Sequence, residues 1–136
     1  MMAGNTVEKT CERAGAVLAH CVGGFLDMVS FTAPGERDHL DIKIVQTQRW
    51  PMVSLLLEDV RHIAVDKGPD IESSFVDDIT LTPLLRTPAA WPAEADALVT
   101  RFEGLPDLYW LRLAGPTTIT AVGAIVTIST SQDFLA

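Results

Sequence analysis

Hydrophobic residues recur along this chain with two different periods, and each change of period marks a new element. Val7, Cys11, Ala14, Val17, Leu18, Cys21 and Val22 fall at three- and four-residue spacings. That spacing gathers them on one helix face, with Glu8, Lys9, Glu12 and Arg13 largely elsewhere. Asn5 with Glu8 three residues later approximates a capping box, and Gly23 and Gly24 accept a left-handed exit cheaply. A helix over about 5–22 is therefore predicted.

From Phe25 the period becomes two. Phe25, Asp27, Val29 and Phe31 fall on one side of a strand and Leu26, Met28 and Ser30 on the other. After a polar turn at Pro34 to Asp38, a second strand over about 39–46 sends Leu40, Ile42 and Ile44 to the core and Asp41 and Lys43 to water. Pro51 restarts the chain after Trp50. Met52 to Leu57 predicts a third strand, Glu58 and Asp59 a turn, and Val60 to Val65 a fourth. Beyond a loop at Lys67 to Asp70, a fifth runs from about Ser73 to Leu81.

Strands thus occupy about 25–81. Pro88, Trp91 and Pro92 then interrupt the sheet pattern, and Pro92 suits the first turn of a helix. Ala95, Leu98, Val99 and Phe102 predict a short helix over 93–103, stopped by Gly104 and Pro106. Strands close the chain over about 107–130. Gly115 and Pro116 form their reversal, and Gly123 marks a bulge or a further turn. The tail from Ser131 is expected to fray.

Short polar turns between adjacent strands favour antiparallel pairing. The expected fold is α+β: an N-terminal helix packed on a curved, mainly antiparallel sheet, with a second short helix before the last strands.

Composition narrows this to one domain. A chain of 136 residues, 48% hydrophobic and 21% charged, is globular in character and long enough for one core without metal or disulfide. Cys11 and Cys21 lie about 15 Å apart along one helix, too far to bridge, and free thiols suit a reducing compartment. Cys11, His20 and Cys21 also lack metal-site spacing and a fourth ligand. The N-terminus lacks the basic and apolar pattern of a secretory signal, and the longest apolar run, Ile119 to Ile128, is too short to span a bilayer. These features point to a cytoplasmic protein with no membrane partner.

Candidate chemistry is sparse. No glycine-rich phosphate loop or nucleophile elbow occurs, and no cofactor is implied. His20, His39 and His62 stand singly; His62 beside Arg61 is the one that a pocket could recruit as an acid or base. Asp66, Asp70 and Glu72 around Gly68 have oxygen chemistry for calcium without the required spacing. Asp77 and Asp78 are neighbours on a strand, so they point to opposite faces and do not share a proton.

Charge is the more informative signal. Glu58, Asp59, Asp66, Asp70, Glu72, Asp77 and Asp78 are opposed between positions 58 and 78 by Arg61 and Lys67 alone, leaving −5 of the chain's −8. Such density repels nucleic-acid phosphates and attracts a basic protein. Trp91, in a proline-rich stretch, is the aromatic expected to add to that surface.

The segments Phe25 to Phe31, Leu40 to Ile44 and Val53 to Val60, with the closing Leu111 to Gly115, resemble small bacterial immunity proteins of polymorphic toxin systems. Leu26 stands where several such families have histidine and Leu57 where they have phenylalanine. The resemblance implies a non-catalytic partner that neutralises a toxin, and it assigns no residue a role. Three function classes follow: an acidic inhibitor occluding a basic partner such as a nuclease or a nucleic-acid-binding defence complex, a self-assembling homo-oligomer, and a small-molecule-binding domain or enzyme with a pocket near His62.

Overall fold

The computed structural model describes residues 6–33, 38–45, 52–67, 75–87 and 90–131. The predicted helix is present as α1, Thr6–Leu18, extended by a 3-10 turn, Ala19–Cys21. Val7, Cys11, Ala14 and Leu18 form its buried stripe. Gly23 ends it at φ +89°, the left-handed geometry for which glycine has no steric penalty. Asn5, the expected cap, lies outside the described residues.

Among the described residues six strands follow: β1 (Phe25–Thr32), β2 (His39–Val45), β3 (Met52–Asp66), β4 (Asp78–Leu84), β5 (Leu108–Ala114) and β6 (Thr118–Ser131). They form one antiparallel sheet in the order β1-β2-β3-β6-β5-β4. A four-residue helix, α2 (Ala93–Asp96), precedes β5. The α+β architecture with a helix before the last strands is as the periodicity predicts.

Alternating residues of β5 explain the two layers. Tyr109, Leu111 and Leu113 join a core shared with α1, while Leu108 and Trp110 join a second cluster with Leu84, Trp91, Ala95, Leu105 and Val122. One face therefore packs on α1 and the other is partly covered by the segment around α2. That segment is tied down by Trp91 Nε1 donating to the Leu85 carbonyl at 2.8 Å and by Arg101 donating to the Thr87 carbonyl at 2.6 Å.

Four expectations differ from the structure. No turn occurs at Glu58 and Asp59; the strand continues because β6 offers it partners from Ser131 back to Thr118. Asp59 instead takes φ +54°, and the pairing slips between Val60 and His62, so the strand kinks rather than reverses. Gly123 is the counterpart of that kink and marks no turn. It pairs with Val60, and a Cβ there would lie 2.7 Å from Leu57 Cγ.

β1 does not follow simple alternation. Its register shifts between Leu26 and Met28, so Leu26 and Val29 pack on the core while Phe25 and Phe31 remain exposed. The fifth strand begins later than expected, at Asp78, because the chain before it is used elsewhere. Val76 exchanges two backbone hydrogen bonds with Gly23 and Gly24 at 2.8 and 2.9 Å, and Phe75 bridges to Phe25. The two edges of the coiled sheet are thereby joined at one end. Finally, the helix expected over 93–103 stops at Asp96. A four-residue helix has few internal bonds to hold it, and the ties from Arg101 draw the chain into turns; Phe102 is exposed.

Candidate functional site

The acidic residues do not form one continuous face. Glu58 is half-buried in the middle of β3, between His39 of β2 and Ile125 of β6. Asp59, at the kink, is paired with Arg61 at 3.0 Å, and its backbone N–H donates to the Asp38 carbonyl. Asp66 ends the same strand, some 23–26 Å away at the ordinary rise per residue. Asp70 and Glu72 lie outside the described residues.

Three of the carboxylates do come together at one end of the sheet. Asp66 pairs with Thr118 of β6, and Asp78 pairs with Ala114 of β5. Thr118 and Ala114 flank the bend at 115–117, so Asp66 and Asp78 are three strand spacings apart, or about 14 Å. Asp77 precedes Asp78, anchored by its N–H to the Ala114 carbonyl at 2.8 Å. All three side chains are exposed, and none has an ion pair among the described residues.

Trp91 requires a correction. It is 6% exposed, with its indole N–H satisfied and the Arg101 guanidinium 4.4 Å above its ring. The proline-rich stretch folds back onto the sheet, and Trp91 is the side chain that seals it. It anchors the second cluster and is not available as a surface aromatic.

Sequence reasoning missed the surface between the carboxylates. Directly paired residues in a sheet share a face, and Thr80, Arg112 and Thr120 form such a row beside Asp78, Ala114 and Thr118. Together they line a concavity of about 330 Å³. Arg112 is held over the Trp110 ring at 4.8 Å and reaches Glu94 at 3.5 Å, so its charge is partly offset. The indole nitrogen of Trp110 is buried with no partner among the described residues. The signal for this surface was present in Thr80-Leu81-Thr82 and Thr118-Ile119-Thr120, where polar and apolar residues alternate with period two.

The side chains of this surface are hydrogen-bonding and charged groups. Carboxylates accept strong charge-assisted hydrogen bonds from arginine and lysine, and threonine hydroxyls both donate and accept. His62 is half-buried opposite Val122, and neither it nor Asp66 lines the concavity beside Asp78. Among the described residues no group of three His, Cys, Asp or Glu is placed to hold a metal ion, and no helix is long and apolar enough to cross a membrane. Compared with models of known protein families and with curated protein sequences, the chain matches none.

Proposed function

We propose that this chain is a non-catalytic binding protein, an acidic inhibitor of the immunity type. In this reading it covers a basic surface of a partner protein, such as the nucleic-acid groove of a nuclease. The supporting observation is the trio Asp66, Asp77 and Asp78, exposed at one end of the sheet and without an ion pair among the described residues. Carboxylates about 14 Å apart lie beyond the Debye length of roughly 8 Å at physiological salt and are largely screened from each other. A basic group seated between them, about 7 Å from each, is within reach of both. A partner's arginines and lysines, arranged to meet phosphates, would find carboxylates and threonine hydroxyls in their place. The resemblance of Phe25 to Phe31 and Val53 to Val60 to immunity proteins supports the same class.

The test is affinity capture from host-cell lysate at about 50 and 300 mM salt, with captured proteins identified by mass spectrometry. Asp66→Lys with Asp78→Lys should abolish capture of a basic protein, while Glu58→Lys, on the half-buried part of β3, should leave a folded variant's capture intact. Equal capture by the wild type and the double reversal at low salt would remove the acidic end from the reading.

A further inference from the structure

The other half of the long strands differs from the acidic end in both pairing and charge. β3 covers β6 along its whole length, from Thr118 to Ser131. β5 covers it only from Ile119 to Gly123. Beyond Gly123, the β5-side edge of β6 has no strand partner among the described residues, over about 20 Å at the usual rise. Backbone N–H and C=O groups along such an edge are satisfied by water or by another strand.

This edge does not face open solvent. α1 stands beside it and leaves a cleft of about 350 Å³, with Thr10, Arg13 and Val17 of the helix opposite Val126, Thr127 and Ile128 of the strand. A strand edge walled by a helix is the geometry in which domains add an extended peptide to their sheet. The strand supplies main-chain hydrogen bonds, and the helix supplies the side chains that select. Here the selecting charge is Arg13, the charged side chain lining the cleft. It is exposed and has no ion pair among the described residues of a protein carrying −8 overall.

We infer that the cleft between α1 and the stretch of β6 whose β5-side edge has no strand among the described residues binds an extended peptide segment bearing a carboxylate, which pairs as an added strand with β6 and sets its acidic group against Arg13. Alternate side chains of the segment face the apolar floor formed by Val17, Val126 and Ile128. The occupant is acidic because a basic segment would gain nothing from Arg13. The site is independent of the carboxylates at Asp66 and Asp78: Thr127 lies nine positions along β6 from Thr118, the residue paired with Asp66.

The test uses two fluorescein-labelled peptides: seven alternating valines and threonines between Gly-Ser flanks, with a central residue of either glutamate or lysine. Fluorescence anisotropy should show the glutamate peptide binding about two- to fivefold more tightly, the range of one favourable exposed ion pair. Arg13→Glu should reverse that preference. Thr10→Trp, which fills the cleft from the helix surface without touching the core, should weaken both peptides. Amide exchange should slow at residues 124–130 when the glutamate peptide is bound. Equal binding of the two peptides, indifference to Arg13→Glu, or protection appearing along β1 instead would each overturn the proposal. Failure of both peptides to bind at millimolar concentration would do the same, and would leave the reading of the acidic end untouched.

Discussion

Gly115 carries a constraint that its turn alone does not explain. It lies in the bend between β5 and β6, and a Cβ there would collide with the Phe75 carbonyl oxygen, a backbone atom that has no rotamer to escape into. The chain at Phe75 to Asp77 can pass this bend and reach β1 only because no side chain intervenes. Gly115→Ala should destabilise the fold by about 1–3 kcal/mol, as overpacking against rigid neighbours does. Denaturant unfolding measures the cost, and the exposed pair Phe25 and Phe75, with centroids 5.6 Å apart, should report the local opening. An unchanged midpoint would mean that the bend relaxes freely.

Cys11 gives a pH signature at the same scale. Burial, and to a smaller extent the Glu8 carboxylate, pushes its thiol from the ordinary 9.0 up to about 11. The folded state thus prefers the protonated thiol more strongly than the unfolded chain does. The associated stability is fully present below pH 9 and is lost as pH rises through about 11. Wild type should therefore lose more unfolding free energy between those two pH values than Cys11→Ala does. Parallel losses would place the titration elsewhere.

Among the elements, the segment from Leu85 to Asp107 was the least legible and is the most dependent on tertiary contacts. Its apolar residues fit a helix by spacing, yet among the described residues only Ala93–Asp96 is helical. Trp91 holds the rest against the sheet. Trp91→Ala should cost about 3–5 kcal/mol, the usual range for emptying a buried aromatic site. Trp91→Phe should cost about 1 kcal/mol, chiefly the hydrogen bond to Leu85. Because Trp91 is buried, the phenylalanine variant should capture a basic partner as well as wild type does; a loss of capture without a loss of stability would return Trp91 to the surface role. The hairpin expected within 52–65 was misread for a related reason. Glu58-Asp59 has turn composition, and Asp59 does adopt a turn-like φ, but β6 pairs on both sides of the kink and holds the strand in one piece.

For the whole molecule, the net charge of −8 matters less than where it is unpaired. Glu58 and Asp59 are absorbed within the sheet, whereas Asp66, Asp77 and Asp78 are exposed at the end of the sheet away from the α1–β6 cleft. If the acidic end docks a basic protein, raising salt should slow association much more than it speeds dissociation, since long-range steering is screened while close contacts are not. Stopped-flow or surface-plasmon kinetics separate the two. A salt effect confined to dissociation would argue for contact through apolar or neutral groups.

The sequence by itself determined the α+β class, the presence of α1 and its exit at Gly23, the core face of β2, the reversal at Gly115 and the acidic balance. Each of these depends on interactions between residues near in the chain or on a simple period, which local sequence encodes. Tertiary structure alone decided that β3 runs unbroken, that the two sheet edges meet through Phe75 and Val76, that Trp91 is buried and that half of β6 has no second strand neighbour among the described residues. Those outcomes depend on which strands lie side by side and how far each extends along its partner. Such pairings join residues dozens of positions apart, and no period within a single segment records them.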